Sequence, residues 1–126
     1  MSPYNYLWEC TGIADGGYKS TKAILQAGYH PTAIVACNDM MAMGVMRAIH
    51  EQGLLIPGDI SVIGFDDIAI SKLMTPPLST ISVVKSGISH AAFSMVMDMI
   101  DGKPGNEVAI KAEFMERESI GIASAI

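Results

Sequence analysis

Two adjacent carboxylates, Asp66 and Asp67, close the apolar run from Val62 to Phe65, and an amide beside a carboxylate, Asn38 and Asp39, closes the run from Ala33 to Cys37. Side chains of this kind accept from, or bridge, the hydroxyl groups of a small polar molecule. They are also the residues expected to cap a helix where a strand turns into one. One member of each pair is enough for a cap, which leaves the other free to face a crevice and take a small polar ligand.

Other chemistries find less support. A magnesium site built on Asp66 and Asp67, with Asp39 contributing, needs further carboxylates converging on it. His30, His50 and His90 lie far apart without a second ligand at i+3 or i+4, and no nucleophile motif is present. Gly53 and Gly58 have the glycine spacing of a phosphate-binding loop, but Asp59 and Ile60 stand where Lys and Ser/Thr are required, and a carboxylate there repels phosphate. That stretch reads as an ordinary helix-to-strand loop. The two cysteines, Cys10 and Cys37, lack C-x-x-C spacing and lie in apolar surroundings, which predicts reduced core thiols, with a disulfide as the alternative. The expectation is a protein with no catalytic residue, no metal and no cofactor.

The elements that must position the polar pairs alternate along the chain. Tyr4 to Cys10, Ala33 to Cys37, Ile60 to Phe65 and Ser79 to Val84 are short apolar runs bounded by Gly, Pro or Asp, and read as strands. Three are almost continuously apolar, as parallel strands covered on both faces should be. Between the first two, a helix from about Gly17 to Ala27 is expected, capped by Asp15 and terminated by Gly28. A second runs from Asp39 to Gln52 with Gly53 closing it. A third, capped by Ser86 and ended by Gly102, carries Ile88, Ala91, Ala92, Met95, Val96, Met99 and Ile100 at the spacing of one helix face. Val108, Ile110, Ala112 and Phe114 alternate with mostly polar neighbours, which predicts an extended strand within 107–119. The alternation argues for an α/β domain with a largely parallel sheet. In such a sheet the carboxyl ends of the strands share one edge, and that edge binds ligands.

The second helix has almost no polar face in its first three turns, since Met40, Met41, Ala42, Met43, Val45, Met46, Ala48 and Ile49 crowd it. One side can pack on the sheet and the other needs a cover, which points to a subunit interface. Methionine, apolar and adaptable, suits such a surface.

The chain has 126 residues, 50% of them hydrophobic, and a mean hydropathy of +0.35, enough for one compact domain with a real core. Thirteen acidic against eight basic residues give a formal charge of −5, the wrong sign for gripping a phosphate backbone, so the chain by itself is not expected to bind DNA. No uncharged apolar run is long enough to cross a bilayer, and Met1 to Cys10 lacks the basic start of a secretion signal. A soluble, cytoplasmic protein without membrane contact is expected.

One stretch is more specific than any of these patterns. His30 to Ile81, "HPTAIVACNDMMAMGVMRAIHEQGLLIPGDISVIGFDDIAISKLMTPPLSTI", resembles the carboxyl-terminal part of the LacI/GalR family of bacterial transcription regulators. The P-T-A-I start, the N-D-x-M-A-x-G helix opening, the I-P-x-D-I-S-V-I-G-F-D-D run and P-P-L-S-T-I match in order and spacing, and Met115 to Ser119, "MERES", resembles the family's terminal R-x-S element.

The resemblance implies a three-layer parallel-sheet sandwich of the periplasmic binding protein-like type I class, in which two subdomains close on a sugar or similar effector and alter operator binding by a separate helix-turn-helix. Carried over by position, Asn38 and Asp66 match residues that hydrogen-bond effector hydroxyls, while Asp39 and Asp67 cap or brace their turns. Gly12 and Val83 fall where members place further ligand-contacting residues, an aromatic and a polar hinge residue, so ligand binding extends to them by position. The family's dimerisation through this region assigns Met40, Met43, Met46 and Met74 to a homodimer interface. The resemblance also divides the chain: 1–83 as the core of the C-terminal subdomain, 84–110 as a segment belonging largely to an absent N-terminal subdomain, and 111–126 as the return segment. A DNA-binding headpiece is expected to be absent. The helix at 86–101 would then pack on a neighbouring molecule or swap between chains, because its apolar positions have lost their sheet.

Two other readings compete. A periplasmic sugar-binding protein of a transporter shares the fold but needs an export signal. A phosphorelay receiver domain has a similar length, an acidic pair and a lysine near the last strand, here Lys85, but in receivers the acidic pair follows the first strand, whereas Asp66 and Asp67 come late.

Overall fold

A computed structural model of the chain describes Glu9 and residues 11–83 and 85–123, apart from the side chain of Ser86. The expected first strand, Tyr4 to Cys10, lies outside the described residues but for Glu9. The elements run α1 (Ala14–Gln26), β1 (Ala33–Val35), α2 (Asp39–Glu51), β2 (Ser61–Phe65), a 3₁₀ turn (Ala69–Leu73), β3 (Ser79–Val83), α3 (Lys85–Ile100) and β4 (Ala112–Met115). The sheet has the order β1-β2-β3-β4, with the first three strands parallel and β4 antiparallel to β3.

Parallel neighbours at Val35↔Ile63 and Phe65↔Ile81 bring the carboxyl ends of β1, β2 and β3 to one edge. Burial alternates along β2: Val62 and Gly64 are buried and Phe65 is exposed. The buried face carries α2, and Ala42, Ile49, Val62 and Leu78 reach 0% exposure between the two layers. Each large aliphatic side chain buried there stabilises the fold by about 1.5–3 kcal/mol. On the opposite face Val35, Phe65 and Phe114 are exposed, so among the described residues helices cover one side of this sheet.

The second side of α2 is covered by α1. A Cβ at Gly44 would run into the Ala14 carbonyl, and one at Gly17 into the Met41 carbonyl, so each helix presents a glycine to the other's backbone. This accounts for Gly17 inside α1, which propensity alone disfavours, while a Cβ at its neighbour Gly16 would meet the Thr11 carbonyl. The apolar girth of α2 is therefore mostly intramolecular: Met41, Val45 and Met46 are core residues, while Met40 is 44% exposed.

Several expectations shift. Helix α1 starts at Ala14 with Ile13 in the cap position, and Asp15, inside the first turn, pairs with Lys19 at 2.7 Å on the surface instead of capping. Helix α3 starts at Lys85, ahead of the expected cap Ser86, whose side chain lies outside the described residues. Its apolar residues are not confined to one face, since Phe93 and Met97 are exposed alongside Ile88, Val96, Met99 and Ile100. The expected strand within 107–119 shrinks to Ala112–Met115, because only there does the chain reach β3 for pairing. Gly28 and Gly53 end their helices at φ 82° and 73°, as expected. Cys37 is a free, exposed thiol and not a core residue, because it lies past the end of β1; Cys10 lies outside the described residues.

Candidate functional site

The loop after β1 turns directly into α2, and Asn38 caps that helix: its Oδ1 accepts the Met41 N–H at 2.8 Å. The Asn38 Nδ2 then donates to the Gly12 carbonyl at 3.0 Å, which draws the start of α1 to the same edge. Asp39 is the buried partner, not the cap. At 0% exposure its Oδ1 accepts the Thr80 hydroxyl at 2.6 Å and its Oδ2 accepts the Ile68 N–H at 2.9 Å. The carboxylate passes so close beneath β2 that a Cβ at Gly64 would collide with it, which explains the glycine in an otherwise bulky strand. Asp39 thus joins the first turn of α2, the middle of β3 and the loop after β2.

That loop is unusual. Asp66 has φ 105° and Asp67 φ 46°, two consecutive non-glycine residues with positive φ. Such backbone costs on the order of 1–3 kcal/mol per residue and persists only where the surroundings fix it, which is why it gathers at functional sites. The Asp66 N–H donates to the Ile81 carbonyl at 2.9 Å. Its carboxylate is exposed and has no hydrogen-bond partner among the described residues. Asp67 turns the other way. Its Oδ1 accepts from Arg117 Nη2 at 2.5 Å and from the Ser71 hydroxyl at 3.4 Å. The Arg117 guanidinium beside it, with a smaller contribution from the charge of Lys72, holds the Asp67 carboxyl below the usual carboxylate range. Arg117 and Asp67 side chains are 12% and 14% exposed, so solvent screens this pair far less than a surface ion pair.

The four residues expected to contact a ligand, Gly12, Asn38, Asp66 and Val83, all lie at the carboxyl edge of the sheet. Val83 is the last residue of β3, half-buried and paired with Ala112. Asp39 and Asp67 are both structural, each tied to several partners. Sequence reasoning quoted the R-x-S element without giving it a task, and the structure gives it one. Arg117 braces Asp67, while the Ser119 hydroxyl donates to the Val62 carbonyl at 2.6 Å and accepts the Ser79 N–H at 2.8 Å. No sequence pattern links Arg117 to Asp67, which lie 50 positions apart.

On the flank of α2 a groove of about 440 Å³ has Met43, Met46 and Met74 against the exposed Arg47, His50 and Glu51. Met43 and Met74 are half-buried and Met46 is only 4% exposed, so Met46 offers little area there. Met40 is not part of this groove. At its rim Tyr18 donates to Glu51 at 2.5 Å, and Arg47 both pairs with Glu51 at 2.9 Å and lies 5.0 Å from the Tyr18 ring.

A largely parallel α/β sheet whose carboxyl edge carries Asn38 and the Asp66 carboxylate, the latter on strained backbone and without a hydrogen-bond partner among the described residues, has the architecture of the periplasmic binding protein-like class. Comparison with known proteins agrees: the family model described as "Periplasmic binding protein-like domain" matches residues 4–120. The chain belongs to the LacI/GalR family of that class. It is 40% identical over 110 residues to the lactose operon repressor of Rhizobium radiobacter, covering 86% of this chain and 97% of that protein. It is 33% identical over 120 residues to the HTH-type transcriptional repressor PurR of Salmonella arizonae, covering 94% of this chain and 35% of that protein. Among solved structures it resembles a dimeric Lac repressor with an 11-residue C-terminal deletion, with a TM-score of 0.82 and 31% identity over 89% of this chain and 42% of that one. It also resembles a LacI-family transcriptional regulator from Enterococcus faecium with bound ribose, with a TM-score of 0.75 and 29% identity over 88% of this chain and 41% of that one. The chain therefore spans about two-fifths of the solved repressor chains and about a third of the PurR repressor. The proteins it matches are named as repressors and regulators, which goes against the transporter-protein and receiver readings. Among the described residues no helix is long and apolar enough to cross a membrane.

Proposed function

We propose that this chain is the effector-binding and self-associating part of a cytoplasmic transcriptional repressor, which controls operator binding through a separate helix-turn-helix and performs no chemistry on its ligand. The observation that carries the reading is Asp66: a carboxylate without a hydrogen-bond partner among the described residues, on strained backbone, at the carboxyl edge beside Asn38. Such a group suits the hydroxyls of a sugar or similar small molecule, and the bound ribose of the Enterococcus faecium regulator makes ribose the first probe. Asn38, Gly12 and Val83 share the edge, with Asn38 the second hydrogen-bonding group.

Self-association belongs to the groove on α2, where Met43 and Met74 remain half-buried beside exposed charges, and the dimeric state named for the Lac repressor supports a homodimer there. Residues 84–110 pass out of this subdomain and 111–126 return to it, in keeping with an α3 that buries none of its described side chains here. The test uses the full-length protein, its operator and a sugar panel beginning with ribose. Asp66→Ala is expected to abolish the sugar response of operator binding while operator affinity without sugar is unchanged. A sugar affinity that survives Asp66→Ala refutes the assignment.

A further inference from the structure

The Asp66–Asp67 turn is tied, through Asp67, to a residue far along the chain that has no place at the ligand edge. Backbone with two successive positive-φ aspartates lasts only where neighbouring groups over-determine it. Behind the turn, Asp39 accepts the Ile68 N–H. At the turn itself, among the described residues, the Asp67 N–H donates to the Thr80 hydroxyl at 3.4 Å and the Asp67 carboxylate accepts the Ser71 hydroxyl and forms its ion pair with Arg117 Nη2. Arg117 is in turn fixed from three further directions: Nη1 donates to the Leu78 carbonyl at 2.7 Å and to the Ser71 hydroxyl at 3.1 Å, and its backbone N–H donates to the Ser79 hydroxyl at 2.8 Å. A guanidinium presents five donors in a rigid planar fork and so fixes acceptors in set directions, where a lysine ammonium offers three rotatable donors on a flexible stem.

We infer that Arg117 is a positioning residue for Asp66: by locking the Asp67 carboxylate it fixes the left-handed pair, and with it the direction in which the free Asp66 carboxylate points. The inference rests on the reading of Asp66 as a ligand group, but its test needs no ligand.

Amide hydrogen exchange of the full chain reads the turn directly. In Arg117→Gln the Asp66 and Asp67 amides are expected to exchange about tenfold faster or more, while Ile68, held by Asp39, and core amides such as Ile49 stay within about twofold. Arg117→Lys, which keeps the charge but not the fork, gives the same local pattern at smaller amplitude and remains informative if the glutamine variant does not fold. Adding Asp67→Gly to Arg117→Gln recovers protection at Asp66, because glycine takes positive φ without a tether. Acceleration spread evenly over the chain, or unchanged exchange at Asp66, overturns the inference. In a parallel ribose titration, a wild-type protein that ignores every sugar in the panel defeats the proposed function and leaves the exchange result standing. A normal sugar response in wild type with no local change in Arg117→Gln does the reverse.

Discussion

Replacing Asp39 by alanine strands two donors at once. The Thr80 hydroxyl is at 0% exposure and loses its acceptor outright, and the Ile68 N–H, half-buried, loses a 2.9 Å bond that water replaces in part. At about 1–3 kcal/mol per stranded group, with Thr80 at the upper part and Ile68 at the lower, the loss is about 3 kcal/mol. The negative charge in the first turn of α2 adds roughly 0.3–1 kcal/mol through the helix dipole. Asp39→Asn keeps one acceptor oxygen and should cost about half as much. The Gly64 contact supplies an independent check. Gly64→Ala in the wild type must push the carboxylate aside, but in the Asp39→Ala background the added methyl meets only Leu78 Cδ2, at 3.0 Å and at the far end of a flexible side chain, so the two changes are expected to be strongly non-additive. Urea unfolding measures all four proteins as a midpoint shift at constant slope. A cost for Asp39→Ala below about 1 kcal/mol, or strict additivity with Gly64→Ala, would sink the idea that this carboxylate ties α2, β3 and the loop after β2 together.

Two further outcomes are expected. Because Arg117 depresses the folded-state pKa of Asp67, the ion pair contributes stability that is complete above the ordinary carboxylate range and is lost as pH falls through the depressed value. Thermal melts taken from pH 7 downward should therefore show a shallower acid limb for Asp67→Asn, and an unaltered limb would contradict the pairing. Met43→Glu places a charge in the groove on α2 and should yield monomers in sedimentation equilibrium, whereas a dimer that persists with unchanged affinity removes the groove from the interface.

The strand ends were readable because apolar runs stopped on polar pairs, and parallel pairing then had to place Asn38 and Asp66 on one edge. The split of roles within the first pair was not readable. Asn38 and Asp39 are both good caps by type, and only the depth of α2 against Gly64 decides that the second one is swallowed and the first one caps. The apolar girth of α2 suggested a partner subunit for the same reason: a sequence pattern reports that a side is covered, not by what, and the close Gly17 and Gly44 approach that lets α1 do the covering appears as two unremarkable small residues. Arg117 was out of reach because its partner is 50 positions away, a separation at which no periodicity connects residues. The family resemblance carried its neighbourhood but not its task.

The reciprocal glycine contact has one more consequence. With backbone against backbone there is no cushion of side chains between α1 and α2, so the pair has the stiffness of a single thick rod. One tip of that rod is Asn38, bonded back to Gly12; the groove of Met43, Met46 and His50 runs along its side, between about 8 and 18 Å from the tip at 1.5 Å per residue. A molecule that tilts the tip must sweep the flank, and a neighbour clamped on the flank must resist the tilt. If the proposed ligand edge and the proposed interface are both correct, binding at one is expected to be felt at the other through this helix pair.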